Sequence, residues 1–149
     1  KLASGVTIVT TCLDGERIGL TATAVCSVTV DPPRLVTFLN KSSRTSAALM
    51  RSGVLCVSLL GMGHRELARI FAGMNSAVAS EQRFQHGDWT QLFTGAPALA
   101  DALQCFDCRV FRIYEESTHY AFVCDVVATR ESASGAPLIW FDGDFRALA

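Results

Sequence analysis

The chain has 149 residues, half of them hydrophobic and 18% charged, and its formal net charge is −1. That length suits one domain, residues 1–149, with a core of its own. A nearly neutral chain with scattered Lys and Arg argues against a nucleic-acid partner, and no apolar run approaches the ~20 residues that cross a bilayer.

Ser4 to Cys12, SGVTIVTTC, is rich in Val, Ile and Thr and reads as a strand. Asp14-Gly15 is a turn signal, so a hairpin is expected with a second strand from Arg17 to Thr29. Within it, Thr21-Ala22-Thr23-Ala24 puts small residues on both faces. Such side chains bury little area and leave backbone amides and carbonyls open to something flat. By composition alone, tight packing against a helix explains such a run more often.

Asp31-Pro32-Pro33 ends that strand, and Leu35 to Leu39 forms the next. It runs into Asn40-Lys41-Ser42-Ser43-Arg44-Thr45-Ser46, where Ser42 or Ser43 caps a helix reaching Arg51 and stopped by Gly53. Hydroxyls and two cations at a helix start suit an anion such as phosphate, although a well-capped helix alone explains about half of such clusters. Val54 to Leu60 reads as a strand buried on both sides. Gly61-Met62-Gly63 opens a second helix near His64, with Leu67, Ile70 and Phe71 on its apolar face and Gly73 at its end.

Residues 74 to 94 lack periodicity and read as loop or short helix, followed by a turn at Gly95-Ala96-Pro97. Strands are expected at Leu103 to Tyr114 and Tyr120 to Thr129, joined at Glu115-Glu116-Ser117-Thr118. A short strand, Leu138 to Phe141, ends at Asp142-Gly143. About six or seven strands in hairpin order with two or three helices predict a mainly β fold, an antiparallel Greek-key-like barrel.

The six cysteines lie mostly in apolar strand-like runs, where free Cys behaves as a small buried hydrophobe. A reducing, cytoplasmic setting is expected. Cys105-Phe106-Asp107-Cys108 is one CxxC without a second ligand pair, since neither His86 nor His119 completes a site, so no metal is assigned.

The segment Gly19 to Thr45, GLTATAVCSVTVDPPRLVTFLNKSSRT, resembles the signature region of the flavin reductase-like family. The resemblance continues through His64 to Gly73, Arg83-Phe84, Gly95 to Leu99 and Pro137 to Arg146, nearly the whole chain. It implies the FMN-binding split barrel, an antiparallel split β-barrel used by the small reductase components of two-component flavin-dependent monooxygenases. It also implies an NAD(P)H:flavin oxidoreductase that binds FMN or FAD, works as a homodimer with a shared site, and hands reduced flavin to a partner oxygenase. Two further readings are an oxidoreductase using its flavin on a corrinoid or pyridoxine-type substrate, and a non-catalytic flavin-binding module.

Carried over position by position, the resemblance places the isoalloxazine edge on the backbone of Thr21, Ala22, Thr23 and Ala24, with Ser27 close by. Asn40, Ser42, Ser43 and Thr45, supported by Lys41, would hold the ribityl phosphate. Phe71, Ala72 and Gly73 would lie against the flavin. Arg83 would contact cofactor or phosphate, or be a solvated loop arginine. The family carries Gly-Asp-His at the hairpin before its nicotinamide-side strand. Here the triplet is Ser117-Thr118-His119, which leaves His119 as the catalytic candidate.

Overall fold

The computed structural model describes residues 1–132 and 134–148. The first expected strand divides into β1 (Ser4–Gly5) and β2 (Thr7–Leu13). Between them the Val6 amide donates to the Leu138 carbonyl at 3.0 Å, while the Val6 carbonyl accepts from Leu60 at 2.9 Å. Thr7 through Thr11 of β2 are all buried, which explains why VTIVTT shows no apolar–polar alternation. The threonines remain satisfied there: Thr7 donates to the Ala22 carbonyl at 2.7 Å and Thr11 to that of Val54 at 2.8 Å.

The strand expected from Arg17 to Thr29 is two strands, β3 (Glu16–Ala22) and β4 (Val25–Val30). β3 pairs with β2, whereas β4 pairs with β5 (Pro33–Asn40). The run from Glu16 to Val30 holds no proline and no turn dipeptide, so nothing local marks the change of partner at Thr23-Ala24. Ser43 then caps α1 (Arg44–Ser52), its hydroxyl oxygen accepting from the Ser46 amide at 3.0 Å. Gly53 closes that helix at φ 69°, a conformation that glycine adopts without strain.

β6 (Val54–Leu59) leads through a 3₁₀ turn at Met62–His64 into α2 (Arg65–Phe71). The stretch read as loop or short helix holds a 3₁₀ turn, Ser80–Gln85, and a strand, β7 (Trp89–Gln91). β7 pairs with β8 (Pro97–Leu99), so Pro97 starts a strand instead of only finishing a turn. β9 (Gln104–Glu116) and β10 (His119–Glu131) form the long hairpin, tighter than expected because only Ser117-Thr118 separates them. β11 (Leu138–Phe141) reverses at Asp142-Gly143 into β12 (Asp144–Ala147), a strand the sequence reading lacked.

One seven-stranded sheet runs in the order β3-β2-β6-β9-β10-β5-β4, beside a three-stranded β1-β11-β12 sheet and the β7–β8 ribbon. β3 and β4 stand at opposite edges of the large sheet, yet only Thr23 and Ala24 connect them. So short a link spans at most roughly 10 Å, so the sheet must curl until its edges meet there. Away from that seam the edges stay unpaired among the described residues: the antiparallel barrel is split.

Alternation across the curled sheet makes two cores. Val9, Leu35, Leu39, Leu55, Val57, Cys108 and Phe122 meet on the concave side, together with Leu49 of α1. Ile8, Cys56, Cys105, Leu67, Ile70, Phe71, Phe84 and Leu99 form the second, under α2 and the β7–β8 ribbon. The CxxC cysteines thus fall in different cores, as spacing by three on a strand requires.

Gly19 marks the tightest contact of β3. A Cβ there would stand 3.0 Å from the Val9 carbonyl oxygen and 3.2 Å from the Phe84 ring. Gly19→Val is therefore expected to destabilise the protein by ~2 kcal/mol through overpacking. A thermal melt matching wild type would show that β3 can move away freely.

Candidate functional site

As a sheet edge, β3 keeps backbone groups that no strand covers. Opposite this edge lie the start of α1, the end of α2 and the Ser80–Gln85 turn, enclosing a cleft of about 330 Å³. Thr21, Ser43, Thr45, Phe71, Ala72 and Arg83, chosen from four separate stretches of sequence, all line it.

Local bonds explain the convergence. The Thr21 hydroxyl donates to the Ala68 carbonyl at 2.7 Å, tying β3 to α2. Arg83 Nη1 donates to the Gly19 carbonyl at 2.9 Å, tying the 3₁₀ turn to the same strand. Thr21 thus offers a ligand only its backbone. Phe71 is fully buried beneath the cleft, edge-on to Phe84 with ring centroids 5.1 Å apart and tilted against Trp89 at 5.3 Å. This aromatic cluster gives one wall a rigid apolar backing.

The other wall is electropositive. Ser43 occupies the Ser46 amide, but helix geometry leaves the amides of Arg44 and Thr45 without intrahelical acceptors. Arg44 reaches Glu16 at 2.6 Å and the Ser80 hydroxyl at 3.4 Å, closing one end of the cleft. Arg83 Nε is buried and, among the described residues, meets no hydrogen-bond partner. Burial first, then the nearby Arg44 charge, lowers the pKa of Arg83 from the ordinary guanidinium value, with Glu81 opposing them. An anion beside the Arg83 guanidinium would offset the like charge of Arg44. Gly73, at φ 72°, leaves room for this guanidinium: a Cβ there would stand 3.4 Å from Nη2. A phosphate monoester fits these groups by charge and by hydrogen-bond polarity.

The remaining predicted residues lie outside the lining. Asn40 Oδ1 accepts from the Ser42 amide at 2.9 Å and from its hydroxyl at 2.8 Å, so these two side chains shape the turn into α1. Lys41 pairs with Glu115 across the β9–β10 hairpin and stands 5.3 Å above the Tyr120 ring. Ala22 is buried, while Thr23 and Ala24 form the barrel seam. Ser27 belongs to a separate apolar groove of about 420 Å³, with Val25, Val30 and Leu35.

His119 opens β10 directly opposite Asn40, and its Nδ1 lies 2.8 Å from the Thr118 hydroxyl. It therefore neighbours the β5–α1 turn across the ladder. Arg17, Gly19 and Ser80 also line the cleft and carry no binding expectation from the sequence, whereas Arg44, one of the two cations expected beside an anion, lines it as well. Arg17, Gly19 and Thr21 alternate along one strand, so the signal for the first two was present. Ser80 carried none, being in a stretch without periodicity.

The split antiparallel barrel with a cationic cleft beside its edge strand defines the class: a flavoprotein-type split barrel. The chain belongs to the flavin reductase-like family, whose "Flavin reductase like domain" matches residues 1–149. It is 45% identical to a protein of Rhizobium rhizogenes strain K84 named FMN reductase (NADH) RutF 2, covering 99% of this chain and 84% of the relative. Identity to FMN reductase (NADH) RutF of Ancylobacter novellus is 43%, over 100% of this chain and 81% of that one. The solved structure of Streptomyces globisporus C-1027 NADH:FAD oxidoreductase SgcE6, in complex with NAD and FAD fragments, superposes with a TM-score of 0.91. There the identity is 28%, over 100% of this chain and 87% of that chain.

Proposed function

We propose that residues 1–149 act as one domain, an NADH-dependent flavin reductase that takes FMN in the cleft along β3. The observation that carries this reading is the Arg83 guanidinium lining the cleft together with the open amides at the start of α1. The names of the two relatives supply the expected cofactor and donor. Bound flavin supplies a hydride acceptor at N5, and the nicotinamide supplies the hydride.

The residues of this chain bind and orient. Thr45, the first-turn amides of α1 and Arg83 hold the phosphate, with Asn40, Ser42 and Ser43 fixing the turn and Lys41, paired with Glu115, tying that turn to the β9–β10 hairpin. The backbone of Thr21 to Ala24 meets the ring edge, where donors favour the anionic reduced form. Phe71, Ala72 and Gly73 back the ring and exclude water. No side chain has to move a proton.

His119 orients the nicotinamide. His119→Ala is expected to slow reduction or raise the KM for NADH about tenfold, ~1.4 kcal/mol, leaving the flavin Kd nearly unchanged. Stopped-flow rates equal to wild type at every NADH concentration would make the histidine structural.

The protein works in the cytoplasm as a homodimer and passes reduced flavin to an oxygenase. The exposed Val28 and Val30 on edge strand β4 support a second copy over the Ser27 groove. Dilution is then expected to dissociate subunits and release flavin together. The primary test is titration of the protein with FMN, followed by NADH. Tight FMN binding with no reduction by NADH would rule out the reductase.

A further inference from the structure

Four of the six cysteines are fully buried, and their surroundings differ. Cys108 and Cys124 face the core on the concave side, where burial first and then neighbouring acidic groups push their thiols up. Cys56 on β6 and Cys105 on β9 face the second core. There the Cys105 sulfur stands 3.6 Å from Nη2 of Arg130 and 3.5 Å from the Ser58 hydroxyl. Ser58 accepts from the Leu99 amide at 3.2 Å, so its own proton is free for the sulfur.

The guanidinium of Arg130 reaches in from β10, half-buried, and donates to the Leu99 carbonyl at 2.6 Å. Among the described residues no carboxylate pairs with it. A cation led into a core without a counter-charge favours an anion beside it. Two other titratable groups stand near the Cys105 sulfur. One is the Cys56 thiol; the other is Asp107, along β9, whose carboxylate is spent on Phe93 and Thr94. Hydrogen bonding from Cys56 first, then from Ser58, together with the Arg130 charge, holds the Cys105 thiol below its ordinary range against the pull of burial. The same bond, with burial, pushes Cys56 up.

We propose that Cys105, seated against Arg130, Ser58 and Cys56, is a site of oxidation by hydrogen peroxide. The thiolate sulfur attacks one peroxide oxygen. An S–O bond forms, the O–O bond breaks, and hydroxide leaves to take a proton from solvent. Sulfur gives two electrons to the peroxide and becomes a sulfenic acid, which cellular thiols reverse. Arg130 faces the charge that grows on the departing oxygen. Cys56 lies opposite Asp107 and Ser58 opposite Cys105, so the two thiols sit on a diagonal of the ladder. Such residues stand roughly 7–8 Å apart, too far for a disulfide without a strand shift, so the sulfenic acid persists. The strand over this cluster, β8, has three residues and pairs with β7 alone. Its local opening admits a reagent hardly larger than water.

Reduced flavin that meets O2 gives oxidised flavin and hydrogen peroxide, so the oxidant is a by-product of the reductase itself. One added oxygen has no space of its own in a close-packed core. That core includes Phe71, which backs the cleft, so oxidation weakens FMN binding. This consequence rests on the cleft reading above; the oxidation does not.

The test treats the whole chain with limiting peroxide and dimedone at neutral and mildly alkaline pH, with peptide mass spectrometry over all six cysteines. Cys105 is expected to be the main labelled residue, at a rate nearly flat with pH, whereas labelling of exposed Cys26 rises several-fold. Arg130→Gln is expected to cut the neutral-pH rate at Cys105 about tenfold and to make it rise with pH, while Arg130→Lys keeps most of it. No label on Cys105, or an unchanged rate in Arg130→Gln, overturns the site. If Arg130→Gln does not fold, the ultraviolet thiolate absorbance of wild type against Cys105→Ala decides, and no difference at neutral pH overturns it. Oxidised wild type is expected to bind FMN about fivefold or more weakly, restored by a thiol reductant, with no such loss in Cys105→Ala. An unchanged FMN Kd after full oxidation breaks the link to the cleft. Wild type that binds no FMN before oxidation overturns the cleft reading and leaves the labelling result standing.

Discussion

Asp107→Ala is expected to lower stability by ~3 kcal/mol, because it strips a fully buried carboxylate from donors that have no other partner. Asp107 on β9 accepts from the Phe93 amide at 2.8 Å, the Thr94 amide at 2.7 Å and the Thr94 hydroxyl at 2.6 Å. These bonds pin the loop that delivers Ala96, Ala98 and Leu99 of the β8 region into the second core. For a chain of this size the loss corresponds to roughly 6–12 °C in Tm. Asp107→Asn keeps an acceptor and is expected to lose less. A melt of Asp107→Ala within a degree or two of wild type would mean that water or a rearranged loop replaces the carboxylate.

Nothing local in Cys105-Phe106-Asp107-Cys108 announced that role. The two cysteines draw the eye as a possible ligand pair, whereas the aspartate between them carries no local signal. A buried charge is set by which loop folds over the strand, and that is a long-range fact. The same division runs through the fold. Ser43 and Gly53 were legible because capping depends on residues within one turn of the helix. The β9–β10 hairpin was legible because its strands are long and its turn is local.

The break at Thr23-Ala24 was hidden, since a strand looks alike whichever neighbour it pairs with. β7, β8 and β12 were missed because three or four residues carry too little periodicity. In the cleft, the helix-start hydroxyls and Arg83 were readable from type and order. Their division of labour was not. Asn40 and Ser42 bond each other within the turn, and Thr21 bonds α2, a contact set by long-range packing.

Arg83→Gln is expected to weaken FMN binding roughly 10–100-fold, the range for losing a charge-assisted hydrogen bond of about 1.5–3 kcal/mol. Its guanidinium lines the cleft and is partly buried, so a phosphate oxygen there makes a charge-assisted bond shielded from bulk water. Because Arg83 also anchors Gly19 of β3, part of any loss could come from a loosened strand. Riboflavin separates the two: a displaced β3 weakens riboflavin and FMN alike, whereas a lost phosphate contact weakens FMN alone. Arg83→Lys adds a second comparison, restoring the charge without the planar fork that serves Gly19 and the ligand together. It is expected to recover only part of the affinity and to show a steeper loss with salt, as a less directional contact relies more on screened charge. Equal FMN affinity in wild type and Arg83→Gln would remove the phosphate from this end of the cleft.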